Sequence, residues 1–148
     1  MATYLQMESV NGKVSCMLVM GRSRVAPLKT TTTIPRLELT AEVVAARMDH
    51  KLHEELGLQL EESVFWSDST SVLKCLFSVK LTPITAWRYV DTAKNLADLA
   101  SRGIAADSLL TSKMWFQGPA FLTGPESSWP ATPSDVKIAT LKDNPEVK

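Results

Sequence analysis

Cysteine is scarce in this 148-residue sequence, with Cys16 and Cys75 the two present. Two thiols cannot build a disulfide framework or a four-thiolate zinc site, and they fit best as buried, reduced side chains. An excess of charge of either sign is also lacking, because 16 basic residues balance 16 acidic ones. That balance excludes a generally basic, nucleic-acid-coating protein and leaves only a local basic patch open. Long hydrophobic runs are missing as well. Stretches such as Cys16–Met20 fall far short of the ~18 residues of a membrane span, so no membrane association is expected. The opening Met1-Ala2-Thr3-Tyr4-Leu5-Gln6 has no basic segment followed by an apolar core, and no Asn-x-Ser/Thr acceptor occurs. The few glycines form no phosphate-cradling loop, and neither Ser69 nor Ser71 sits in a Gly-x-Ser-x-Gly elbow. Together these absences point to an intracellular protein, cytoplasmic or nuclear.

What is present is a globular composition, 45% hydrophobic and 22% charged, in a length that suits one ordinary domain. Val14, Cys16, Leu18 and Met20 alternate with more polar neighbours, the period of a half-buried strand. Asn11-Gly12 separates them from Thr3–Val10, and this dipeptide predicts a two-residue hairpin with a type I′ turn. From Gly21 to Arg36 the chain is basic, with Arg22, Arg24, Lys29 and Arg36 and no acid. A helix is predicted next, capped by Thr33, with Pro35 in its first turn and Gly57 as its stop. Leu37, Ala41, Val44, Met48, Leu52 and Leu56 mark its apolar stripe. His50 and His53 lie at i, i+3 on this helix, but Asp49, Lys51, Glu54 and Glu55 surround them, and a solvated face is the preferred reading.

Ser63-Val64-Phe65-Trp66-Ser67 reads as a strand buried on both faces. A helix is expected from about Ser69 to Lys80, then a strand at Trp87–Val90, then a helix from Ala93 to Ser101 ending at Gly103. Strand, helix and strand in this order suggest a parallel pair and an α/β fold. Beyond Leu109 the chain loosens, and five of its eight prolines lie from Pro119 onward. The expected organisation is a domain over 1–110, an extension packing on it over 111–130, and a flexible tail over 131–148.

Three carboxylates stand at informative positions: Glu38 in the first turn of the long helix, Asp68 at the exit of the strand, and Asp98 in the last short helix. Strand ends of an α/β sheet gather at one edge, and carboxylates brought together there would favour Mg²⁺ or Mn²⁺. Plainer roles stay open for each: a dipole-favoured acid, a helix cap, and a solvated surface acid.

The words around these acids narrow the reading. They are Ile34-Pro35-Arg36-Leu37-Glu38-Leu39-Thr40-Ala41, Val64-Phe65-Trp66-Ser67-Asp68-Ser69-Thr70-Ser71-Val72-Leu73, Trp87-Arg88-Tyr89-Val90 and Asn95-Leu96-Ala97-Asp98-Leu99-Ala100-Ser101-Arg102-Gly103. In this order they resemble the ribonuclease H-like domain of BEL/Pao-type retrotransposon polyproteins. Trp115-Phe116-Gln117-Gly118-Pro119-Ala120-Phe121-Leu122 and Pro125-Glu126-Ser127-Ser128-Trp129-Pro130 resemble the segment that follows that domain. The resemblance spans most of residues 4–130.

It implies an α/β fold, a ribonuclease H-like mixed sheet with flanking helices, and cleavage of the RNA strand in RNA–DNA hybrids. It also implies that Glu38, Asp68 and Asp98 serve as catalytic metal ligands for Mg²⁺ or Mn²⁺. The basic loop of Arg22, Arg24, Lys29 and Arg36 would contact the phosphates of a hybrid or another nucleic acid, with an ordinary solvated loop the equal alternative, and the rest of a retroelement polyprotein would be a partner. The family's first catalytic aspartate lies on a strand ahead of the hairpin. That strand is not found here, and the stretch between Val79 and Trp87 is short, so the sheet is expected to be incomplete. The expectation is therefore a retroelement-derived fragment, a two-metal nuclease by descent and inactive alone. A non-catalytic nucleic-acid-binding or structural module, or an unfolded genomic relic, are the alternatives.

Overall fold

A computed structural model describes residues 1–23, 33–70, 73 and 82–133 of the chain. Arg24, Lys29, Cys75, nearly all of the helix expected from Ser69 to Lys80, and the tail beyond residue 133 lie outside the described residues. The described chain is mixed α/β, with small sheets and helices, consistent with a ribonuclease H-like domain. It gathers into two compact units, one formed by residues 1–23 and 91–130, the other by the remaining described residues.

In the first unit, β1 (Ala2–Glu8) pairs antiparallel with β2 (Val14–Gly21). Val14, Cys16, Leu18 and Met20 are covered and the residues between them are exposed, as the alternation requires. The turn differs from the expectation. Ser9 and Lys13 close a three-residue loop, with Gly12 N–H donating to Ser9 O at 2.8 Å and Ser9 N–H to Lys13 O at 3.0 Å. Gly12 is left-handed at φ 76°, and no non-glycine among the described residues has a positive φ. A type I′ turn needs a positive φ at both central residues, so Asn11 rules it out, and the loop is a tight turn closed by a left-handed glycine. The Asn11 side chain is used instead as an acceptor for Lys13 N–H at 3.3 Å.

The described chain from Leu96 to Ser128 is more regular than its prolines suggest. Three short helices, α2 (Leu96–Arg102), α3 (Ala106–Thr111) and α4 (Lys113–Gln117), precede 3₁₀ turns at Ala120–Thr123 and Glu126–Ser128. A 3₁₀ turn at Thr92–Lys94 comes before α2, so the single helix expected from Ala93 is broken at Asn95. Asn95 is itself the cap, its side chain accepting from Ala97 N–H at 3.1 Å.

The segment after α3 lies against the hairpin. Tyr4 Oη donates to Trp115 O and Gln6 Nε2 to Leu122 O, both at 2.8 Å. Burial pushes the Tyr4 hydroxyl and the Cys16 thiol above their ordinary ranges. Gly118 holds the crossing point: its φ is 75°, and a Cβ there would lie 3.0 Å from Leu122 Cδ1 and 3.3 Å from Cys16 Sγ.

In the second unit, α1 (Ile34–Glu55) runs between Thr33 and a left-handed Gly57 at φ 60°. Thr33 occupies the N-cap position without a side-chain capping bond, and Pro35 stands in the first turn. β3 (Phe65–Ser67) pairs parallel with β4 (Trp87–Tyr89), in the register Phe65↔Trp87, Trp66↔Arg88, Ser67↔Tyr89. Val90 N–H extends the ladder to Ser67 O at 3.0 Å. Phe65 stacks on Trp87 at 4.6 Å between ring centroids, and Leu39, Leu73 and Tyr89 close this small core.

Two expectations about these elements are corrected. Ser63–Ser67 is not covered on both faces, because Val64 is exposed and Ser67 alone is fully buried. The apolar stripe of α1 is covered only in part, with Leu37, Val44, Met48 and Leu52 half-buried. Ala41 and Leu56 on that stripe are exposed, whereas Ala46 is buried and Leu39 joins the core. The side turned to residues 63–69 carries Glu38, Glu42, Asp49 and His53, which bond to serines there.

Replacing Gly118 by alanine is expected to destabilise the chain by about 2–3 kcal/mol, since overpacking adds to the cost of a positive φ. Gly57→Ala, where nothing lies within 4 Å of the added Cβ, should cost only the backbone component of about 1 kcal/mol. Urea unfolding of both variants checks the difference.

Candidate functional site

α1 and the end of β3 bring Glu38 and Asp68 into one neighbourhood, where the charges of both act on Glu42. α1 presents Glu38 and Glu42 one turn apart, and β3 ends so that Asp68 follows Ser67 directly. Ser69 Oγ donates to Glu38 Oε2 at 2.8 Å, and Ser67 Oγ donates to Glu42 Oε1 at 2.7 Å. The two serines flanking Asp68 are thus tied to two acids of the helix. Further along, Ser63 Oγ donates to Asp49 Oδ1 and lies 3.1 Å from His53 Nε2. His53 is therefore half-buried and engaged, in contrast to the solvated face expected for it, while His50 is exposed and 3.4 Å from Glu54.

Glu42 is the residue that the sequence reading missed. Its carboxyl is pushed up from 4.5 to about 7, first by burial and then by the negative charges of Asp68 and Glu38, with the Ser67 hydrogen bond pulling the other way. A signal for it exists in the sequence: it stands four residues after Glu38, on the same helix face. Spacing alone does not distinguish it from a solvent-facing acid, because its importance comes from burial.

Glu38 itself lies just past the first turn of α1, which contains no acid. Favourable interaction with the helix N-terminus, one plain explanation for its presence, is correspondingly weak. Asp98 belongs to the other unit. It stands in the first turn of α2, where the dipole favours it, and Arg102 Nε approaches its Oδ2 to 2.7 Å. Of the basic residues, Arg22 follows β2 and Arg36 begins α1, and both are exposed; Arg24 and Lys29 lie outside the described residues.

Carboxylate oxygens are the donors that a hard divalent cation takes. Mg²⁺ keeps several waters and is commonly bound through one or two carboxylates, so the Glu38–Asp68 pair suits weak binding of one ion. A two-ion centre needs more. Among the described residues, no three His, Cys, Asp or Glu side chains gather in a way that could hold a metal ion. The described residues therefore do not fit a two-ion centre. No helix among the described residues is long and apolar enough to cross a membrane.

Residues 1–69 match the family model of the Pao retrotransposon-like RNaseH-like domain. The match covers just under half of the chain, contains Glu38, Glu42 and Asp68, and ends before Asp98. It supports a retroelement-derived, ribonuclease H-like origin. No curated protein and no solved structure matches the chain.

The raised Glu42 carboxyl couples stability to pH. Between about pH 4.5 and 7 the unfolded chain loses this proton while the folded chain keeps it, so stability falls as pH rises through the window. Each pH unit there costs up to about 1.4 kcal/mol from this group, about 3 kcal/mol in all. Glu42→Gln keeps the acceptor and removes the titration. It should match the parent near pH 4 and exceed it at pH 8, read from urea unfolding at both values.

Proposed function

Taking residues 1–69 as part of a Pao retrotransposon-like RNaseH-like domain, we propose that this chain is a ribonuclease H-like remnant of a retroelement polyprotein. In it the Glu38–Asp68 pair keeps affinity for one Mg²⁺ or Mn²⁺ ion, and the chain does not cleave RNA–DNA hybrids by itself. The observation that carries this reading is the docking of Ser67-Asp68-Ser69 on Glu38 and Glu42 of α1. It brings two of the three expected acids together, inside the segment that matches the family.

A bound divalent cation would supply polarisation of a phosphoryl oxygen and a more acidic coordinated water. The chain's own contribution is to hold two carboxylates with their serine donors at the end of a parallel strand. Asp98, on α2, is the third acid of the proposal. Catalytic groups that act as a unit lose most of their rate when one is absent, so an incomplete set predicts loss of cleavage rather than a proportionate decrease. Arg22 and Arg36, exposed in the structure, are proposed to meet hybrid phosphates together with Arg24 and Lys29. The setting of the proposal is intracellular, with a hybrid or the remainder of a polyprotein as partner.

Titration of the full chain with Mn²⁺, followed by the loss of the free-ion electron paramagnetic resonance signal, should show weak saturable binding. Asp68→Asn should weaken it by about tenfold, as the loss of a charged oxygen donor does. Hybrid cleavage should be absent in parent and variant alike. Mg²⁺-dependent cleavage abolished by Asp68→Asn would show an active enzyme. Salt-sensitive hybrid binding with no response to Mn²⁺ or to Asp68→Asn would favour a non-catalytic nucleic-acid-binding module.

A further inference from the structure

One pairing is repeated three times between α1 and residues 63–69: Ser69 with Glu38, Ser67 with Glu42, and Ser63 with Asp49. The two segments run in opposite directions through the three pairs. Four residues of helix, from Glu38 to Glu42, rise about 6 Å. On the other side the chain turns at Asp68, just past the end of β3, where Ser67 Oγ also accepts Ser69 N–H at 3.3 Å.

We propose that this serine–carboxylate ladder, centred on Glu42 and Ser67, is the positioning device that sets Asp68 beside Glu38. Asp68 is the residue between the two inner rungs, so its backbone is held on both sides. Its own carboxylate takes no part in these three pairs. Ser67 is 2% exposed, and a buried hydroxyl left without an acceptor is costly, so the central rung resists opening. Hydrogen bonds are directional where apolar contacts are not. A shift of β3 along α1 would carry Ser67 away from Glu42 and leave both groups without this partner. Glu42 and Ser67 are accordingly positioning residues that act through Asp68. The functional consequence rests on the metal-pair reading above; the positioning itself does not.

The test uses the full chain and two readouts: the Asp68 carboxyl ¹³C resonance without metal, and Mn²⁺ affinity. Glu42→Gln keeps an oxygen that accepts from Ser67, and it should leave the Asp68 resonance in place and the affinity near the parent's. Glu42→Leu and Ser67→Ala should each move the resonance and weaken Mn²⁺ binding by about tenfold or more, the effect of losing an outer partner of a ligand. Far-UV circular dichroism confirms folding, and Ser67→Ala decides the matter if Glu42→Leu does not fold. Weakening by Glu42→Gln equal to that by Asp68→Asn would make Glu42 a ligand and overturn the proposal. An Asp68 resonance unmoved by Ser67→Ala would overturn it too. A parent that binds no Mn²⁺, with the resonance moving as expected, would refute the metal-pair reading and uphold the ladder.

Discussion

The buried hydrogen bond between Ser67 and Glu42 is the constraint on which the second unit depends. A carboxyl taken out of water must be neutralised or hydrogen-bonded, and here burial raises its proton affinity while a serine at the end of β3 supplies the donor. β3 cannot shift along α1 without stranding both groups. The stacked Phe65–Trp87 pair and the parallel register with β4 then follow from where β3 is held. The polar rungs fix position, and the small apolar core of Leu39, Leu73, Trp87, Phe65 and Tyr89 adds burial around it.

The first unit is organised differently. Its hairpin is covered on one side by the segment from Trp115 to Leu122, fastened by Tyr4 and Gln6 to backbone carbonyls. The crossing works because Gly118 has no side chain and accepts a left-handed backbone, which lets Leu122 and Cys16 approach it closely. Prolines in this stretch, which suggest a loose extension, instead begin short 3₁₀ turns: Pro119 and Pro125 occupy their N-cap positions.

Much of the architecture could be read from residue pattern. The alternation in Val14–Met20 marks the covered face of β2, and Pro35 and Gly57 bracket α1. The order of strand and helix anticipates the parallel pair. What escaped the pattern has physical causes. Asn11-Gly12 favours a type I′ turn only when both residues can be left-handed, and the Ser9 and Asn11 side chains stabilise a wider loop instead. Hydrophobic periodicity locates the apolar side chains of α1, whereas its contact with residues 63–69 is built from serines and acids and leaves no such pattern. Glu38 and Asp68 were legible as candidates from the words around them. Glu42 was not, since its importance comes from burial.

By itself the sequence determined the kinds of elements, the family resemblance and the chemical class of the candidate site, because periodicity, capping residues and local words are properties of neighbours along the chain. Tertiary structure alone decided which acids converge and in which protonation state. The Glu42 carboxyl owes its raised proton affinity first to burial and then to the charges of Asp68 and Glu38, against the opposing pull of the Ser67 hydrogen bond, and these groups stand apart in sequence and act through distance and desolvation. The charge balance of the whole chain, 16 against 16, conceals that local concentration of acids, since net charge sums over positions that only folding brings together.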